Sequence, residues 1–134
     1  MKYIRLFLIL VALFAGASLP AEDAAQPTAA PAPAQKYFLM ILRPVERLHT
    51  EAAWTESDNA AVYAHFTRLQ EGVAAGTVIL AGKTDEPLDK TLGLVIFSAA
   101  DEAEARAFME GDPSVAVGVM TAELRPYGLA LLGK

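Results

Sequence analysis

Two polar residues of this sequence have types and positions suited to moving a proton. His65 lies three residues after Val62 and four before Leu69, which places its ring at the border of an apolar helical stripe. Asp112 precedes Pro113 at the start of a predicted turn. A carboxylate that accepts a hydrogen bond from one imidazole nitrogen leaves the other nitrogen free as a base. A satisfied core histidine and an ordinary capping aspartate fit the same positions, so spacing alone leaves both interpretations open.

Other kinds of chemistry find less support in the sequence. The serines at 57, 98 and 114 fall at predicted helix caps and no G-x-S-x-G elbow occurs, which argues against a serine nucleophile. The chain has no cysteine and no phosphate-binding glycine loop. His49 and His65 lack metal-ligand spacing on one element, and no third ligand is obvious. We therefore expect neither a metal nor a cofactor, with a metal site on the two histidines left open.

Three further residues are candidates for binding a substrate. Arg43 follows the first predicted strand and Arg68 lies about one turn after His65, so either guanidinium can hold a substrate carboxylate. A surface charge, or an ion pair with Glu71 or Asp112, is the alternative for both arginines.

Trp54 is the third candidate, because it lies in the irregular connection between the first strand and the first helix. Together with Tyr63 it can roof a pocket, although an aromatic residue there also suits a core or dimer contact. The expected ligand is a small molecule.

Hydrophobic periodicity and turn residues predict six main elements in the order β-α-β-β-α-β. The first helix is expected to start at an N-cap on Ser57 or Asp58 and to end at Gly76. This order predicts an α+β, ferredoxin-like fold with an antiparallel sheet and two helices on one face. The strands are predicted at 36–42, 77–81, 91–97 and 119–127, and the second helix at 98–110.

The apolar pattern of the strands also predicts a partner chain. The first three are apolar at both odd and even positions, whereas a sheet with one face in water alternates apolar and polar residues. Since two helices cover one face, we expect a second copy of the chain to cover the other. The predicted assembly is a homodimer with sheets stacked face to face.

The N-terminal region has the pattern of an export signal. Lys2 and Arg5 precede an apolar run at 6–15, and Ala15-Gly16-Ala17 suits a signal peptidase. The sequence predicts a signal peptide at 1–17, with cleavage as late as 21 as an alternative, a disordered Pro/Ala linker at 18–35 and a domain at 36–134. The mature protein is expected to be periplasmic or secreted, without a stable membrane anchor. A retained transmembrane anchor is the alternative, although the run is shorter than the roughly 20 residues that span a bilayer.

The charge balance excludes one class of partner. The chain carries 16 acidic and 11 basic residues, a formal net charge of −5. An acidic chain repels phosphate backbones, and no basic cluster is interleaved with aromatic residues. We expect no nucleic-acid partner.

Two long stretches resemble a known family. HFTRLQEGVAAGTVILAG at 65–82 and LGLVIFSAADEAEARAFMEGDPSVAVGVMTAELRPY at 92–127 are similar to the YCII-related family of small proteins. The resemblance implies a ferredoxin-like α/β dimer in which a histidine and an aspartate act as a pair, here His65 and Asp112. Some relatives are similar to dehydrochlorinases and isomerases of aromatic ring-cleavage pathways. The chain departs from the family pattern at Lys83, where a proline commonly follows AG, and in its export signal.

These observations lead to competing hypotheses. The first is an exported dimeric enzyme that uses His65 and Asp112, without a cofactor, on a small organic or ring-derived acid. The second is a non-catalytic ligand-binding or interaction module of the same fold. A third, haem or metal handling on a related dimeric barrel, requires an axial ligand facing a larger cavity. An open cleft at His65 favours the first hypothesis, whereas a ring closed against Leu69 favours the second.

Overall fold

The computed structural model describes residues 35–133 of the chain. The predicted signal peptide and nearly all of the predicted linker lie outside these residues. None of the described helices has the length and apolar character needed to cross a membrane. The main elements are β1 (Lys36–Pro44), α1 (Glu56–Ala74), β2 (Val78–Lys83), β3 (Gly93–Ala99), α2 (Glu102–Glu110), α3 (Pro113–Ala116) and β4 (Met120–Tyr127).

The four strands form one antiparallel sheet in the order β2-β3-β1-β4. β1 lies between β3 and β4, with Phe38 opposite Phe97 on one side and Pro126 on the other. β2 joins the far edge of β3 through a bulge between Val78 and Leu80. The architecture is α+β and ferredoxin-like, which confirms the fold predicted from the order of elements.

The core lies between the sheet and the helices. Phe38, Met40 and Leu42 of β1 are buried together with Phe97 of β3, and Leu69 of α1 packs into the same cluster. These side chains alternate along the strands, as a pleated sheet requires. Fully burying each contributes about 1.5–3 kcal/mol relative to exposure. This packing holds α1 against the sheet and thereby sets the position of every side chain on that helix.

The opposite face of the sheet is apolar at its centre. Leu39 and Ile41 of β1 and Leu94 and Ile96 of β3 are only partly buried, and they alternate with the core residues of the same strands. The central strands are therefore apolar on both faces, as the sequence indicated. Within the described residues, the helices pack against one face only.

The start of α1 differs from the predicted position. Its N-cap is Thr55, whose hydroxyl accepts from the Asp58 N–H at 3.2 Å, while the Thr55 N–H donates to the Asp58 carboxylate at 3.0 Å. The two side chains form a reciprocal capping box. Ser57 and Asp58 are therefore inside the first turn, because the N-cap lies two residues before Ser57 and three before Asp58. The Arg47 guanidinium also donates to Asp58, at 2.6 and 3.0 Å. The Arg47 hydrogen bonds and then those of Thr55 hold the pKa of Asp58 well below its usual range.

The helix α1 lies unusually close to the strand that follows it. A Cβ at Gly72 would lie 2.5 Å from Cγ2 of Val78, closer than two carbon atoms can approach. After the helix, Gly76 has a φ of +76°, a left-handed conformation that glycine adopts without strain. β2 then continues two residues beyond its predicted end, through Gly82 and Lys83.

Candidate active site

His65 and Asp112 meet although 47 residues separate them in the chain. Nδ1 of His65 lies 2.7 Å from Oδ2 of Asp112. His65 is 8% exposed on α1 and Asp112 is fully buried at the start of α3. The packing of α1 against α3 therefore forms a hydrogen-bonded pair from two residues that were separately identified in the sequence.

The two carboxylate oxygens of Asp112 have different hydrogen-bond partners. Oδ1 accepts from the Ser114 N–H at 3.0 Å and from the Ser114 hydroxyl at 2.7 Å, which caps α3. Oδ2 faces the imidazole of His65. The capping role and the pairing with histidine, which the sequence left as alternatives, occur together in one side chain.

Asp112 is the ionised partner of the pair. Burial by itself would raise the pKa of Asp112, but hydrogen bonds from His65 and Ser114 outweigh the desolvation and keep this pKa below its ordinary value. A carboxylate can only accept hydrogen bonds. The short contact therefore places the proton of the neutral ring on Nδ1 of His65, and Nε2 carries the lone pair.

The other ring nitrogen of His65, Nε2, is not enclosed by the protein. Among the described residues, Nε2 of His65 has no hydrogen-bond partner, yet no buried side-chain nitrogen or oxygen lacks one. Nε2 therefore retains contact with accessible space. Because His65 lines a large cavity, we expect this nitrogen to be the ring atom that meets a molecule bound there.

The cavity next to His65 has a volume of about 600 Å³ and mostly apolar walls. α1 contributes Val62, Phe66 and Leu69, while β1 and β3 contribute Leu42 and Val95. A mainly apolar cavity with a few polar groups is typical of small-molecule sites. The polar or charged side chains that line it belong to Asn59, Tyr63, His65, Lys83 and Thr91.

Arg68 contacts the pair but does not line the cavity. Its Nη1 lies 3.5 Å from Oδ2 of Asp112, and its Nη2 donates to the carbonyl oxygen of Phe108 at 2.9 Å. The guanidinium carbon also lies 4.1 Å from the centroid of the Phe108 ring. This arrangement matches the alternative considered for Arg68, an ion pair with Asp112, and connects α1 to α2 beside the candidate site.

Arg43 and Trp54 also lie outside the cavity lining. Arg43 lies 3.8 Å from the carboxylate of Glu123, and strand alternation places it on the face opposite Leu42 and the core. The indole N–H of Trp54 donates to the carbonyl oxygen of Leu48 at 3.0 Å. The geometry thus brings together His65 and Asp112, with Arg68 against the carboxylate, but none of the three residues predicted to bind substrate lines the cavity.

Several cavity residues were missed from the sequence. Asn59 and Phe66 are three residues before and four residues after Val62, so the helical period alone places them on the same side of α1. Lys83 stood out in the sequence only as the position where the chain departs from the family pattern, because its place beside the cavity depends on how β2 pairs with β3.

The two histidines have different side-chain partners among the described residues. Nε2 of His49 lies 3.3 Å from the carbonyl oxygen of Pro44, and this contact does not involve His65. In the part of the chain that the structure describes, no group of three or more His, Cys, Asp or Glu residues is arranged to hold a metal ion.

Comparison with known proteins identifies a family for this chain. No curated protein matches the chain. The model of the YCII-related domain matches residues 37–126, which run from β1 into β4 and include both His65 and Asp112. Since the match covers well over half of the sequence, the chain belongs to the YCII-related domain family.

Proposed function

We propose that this protein is a cofactor-independent acid–base enzyme of the lyase, isomerase or dehydrochlorinase type. Its substrate is a small organic or ring-derived acid that binds in the cavity beside His65. One observation carries the proposal: Nδ1 of His65 is bound at 2.7 Å to a buried carboxylate, while Nε2 keeps contact with accessible space on a residue that lines an apolar cavity.

His65 acts as the general base in the proposed mechanism. Nε2 takes a proton from a carbon of the bound substrate, and the electron pair of that C–H bond enters the substrate. In an isomerisation the imidazolium returns the proton to a different atom, whereas in an elimination a double bond forms and the leaving group departs with its electron pair. A positioned general base typically contributes about 10²–10⁴-fold in rate.

Asp112 positions the base and stabilises its charged form. As an acceptor it selects the Nδ1–H tautomer, and its negative charge lies directly beside the imidazolium that forms. Ser114 prevents the carboxylate from rotating, since its N–H and hydroxyl both bind Oδ1. Arg68 assists from 3.5 Å by a second contact to Oδ2.

The alternative is a non-catalytic ligand-binding or interaction module of the same fold. An apolar cavity is sufficient to bind a small molecule. At its edge Tyr63 is 74% exposed and Phe66 is 56% exposed, and exposed aromatic side chains suit a contact with another protein. In such a module His65 would contact a ligand without removing a proton from it.

We also propose that the protein is an exported homodimer, periplasmic or secreted. Export is supported by the residue pattern at 1–17. Dimerisation is supported by the helix-free face of the sheet, where Leu39, Ile41, Leu94 and Ile96 are only partly buried. A second copy placed on this face would remove these side chains from water.

Hydrogen–deuterium exchange at carbon tests the enzymatic proposal without knowledge of the final product. A panel of cyclic acids, lactones and quinols is incubated with the protein in D₂O, and loss of C–H signals is followed by proton NMR. We expect exchange of at least one compound with the wild type and none above background with His65→Gln. His49→Gln is the matched control, since His49 does not line the cavity and its side-chain contact is to the backbone carbonyl oxygen of Pro44.

The results separate the two functions. Exchange that survives His65→Gln contradicts the role assigned to this base. Binding of panel compounds beside His65, with no exchange in any of them, favours the binding module. Equal loss of exchange in both histidine variants would show that the effect is not specific to the cavity.

A further inference from the structure

The charge of the cavity differs from that of the whole chain. The chain has 16 acidic and 11 basic residues, yet no aspartate or glutamate is among the described residues that line the cavity. The only lysine or arginine in that described lining is Lys83. The cavity lining therefore includes one cationic residue and no acidic residue.

Lys83 lies at a well-defined point of the sheet. It is the last residue of β2 and pairs with Gly93 of β3. Just beyond it, the Thr84 N–H donates to the carbonyl oxygen of Leu92 at 2.8 Å, and the Leu92 N–H donates to the Thr84 hydroxyl at 2.9 Å. These two hydrogen bonds fix the backbone from which the lysine side chain extends.

The charge of Lys83 is not used within the described part of the protein. None of the ion pairs there includes Lys83. Arg68, by contrast, is already bound to Asp112 and to Phe108. Of these two cations near His65, only the lysine has its donors free for a ligand in the cavity.

From this arrangement we infer that Lys83 binds the anionic group of the ligand. The ligand is thereby a monoanion with an apolar, ring-sized body, which packs against Val62, Phe66 and Leu69 while its carboxylate meets the ammonium group. An ammonium group offers three donors and a compact charge to such a carboxylate. This inference rests on the cavity of the proposed function and adds its substrate class, but it does not require that His65 be catalytic.

A pair of nearly isosteric probes tests the inference by binding alone. Phenylacetate and phenylacetamide have the same ring and differ in charge, and each is titrated into the full chain while the ring signals of His65 are followed by NMR. We expect the wild type to bind phenylacetate about 5- to 10-fold more tightly than phenylacetamide. The free energy of this preference lies between that of an exposed ion pair and that of a charge-assisted hydrogen bond.

The variants assign that preference to one residue. Lys83→Met should remove it and Lys83→Glu should reverse it, with affinity for the amide nearly unchanged in Lys83→Met. Lys90→Met is the matched control, because Lys90 lies in the β2–β3 connection that follows Lys83 but does not line the cavity. This control should retain the preference of the wild type.

Three outcomes would overturn the inference. They are equal affinity of the wild type for both probes, a preference that survives Lys83→Met, and failure of both probes to shift His65. Failure of the proposed catalysis has a different signature, which is selective binding of phenylacetate through Lys83 with no deuterium exchange in any compound of the panel.

Discussion

Replacing Asp112 by asparagine should reverse the polarity of the His65 ring while keeping the fold. The Ser114 N–H is a fixed donor 3.0 Å from Oδ1, so the asparagine must place its carbonyl oxygen there. Its NH₂ group then takes the position of Oδ2, facing Nδ1 of His65. Two donors cannot share one hydrogen bond, and the ring responds by moving its proton from Nδ1 to Nε2.

The size of the effect follows from the two hydrogen bonds that change. The carboxylate favours the Nδ1–H tautomer by about 1.5–3 kcal/mol, and the amide favours the other tautomer by about 0.5–1.5 kcal/mol. The combined change of roughly 2–4.5 kcal/mol shifts the tautomer ratio about 30- to 2,000-fold, at 1.36 kcal/mol for each factor of ten. Deuterium exchange of a substrate should fall by a factor in the same range, since Nε2 would carry a proton in place of its lone pair.

The tautomer is measured directly from the nitrogen-15 chemical shifts of the His65 ring, in the wild type and in Asp112→Asn. Asp101→Asn is the matched control, because Asp101 also caps a helix through its side chain but has no histidine partner in its hydrogen bonds. The control should leave the ring unchanged. An unchanged tautomer in Asp112→Asn, with thermal unfolding like that of the control, would refute the reasoning.

Two further predictions concern stability and assembly. The Arg47 ion pair lowers the pKa of Asp58, so its contribution is complete above the unfolded value of about 4 and is lost as pH falls below it. Urea midpoints between pH 6 and pH 3 should therefore fall more steeply in the wild type than in Asp58→Asn, and equal slopes would contradict this assignment. Ile41→Glu should convert a wild-type dimer to monomer in sedimentation experiments, while Ala64→Glu, at an exposed position of α1, should leave it dimeric. A monomeric wild type would rule out the sheet face as an interface.

Local patterns in the sequence predicted the order of the elements. Alternating and helical periodicities depend on neighbouring residues, and these are already fixed by the covalent chain. For the same reason the sequence located His65 on the edge of an apolar stripe and Asp112 at a helix cap. The predicted N-cap of α1 was wrong by two to three residues because Asp58 forms a capping box with Thr55 and also accepts from Arg47, 11 residues away, and local preference does not include such a distant partner.

The composition of the site depended on contacts between distant segments. Whether Arg43 or its neighbour Pro44 faces the cavity depends on strand register, in which a shift by one residue exchanges the two faces. Lys83 reaches the cavity because β2 extends along β3, and Arg68 is bound to Asp112 because α1 packs beside α3. By itself the sequence determined the elements and the identity of the acid–base candidates. Only the tertiary structure decided which side chains share the cavity, since that depends on pairing and packing between residues far apart in the chain.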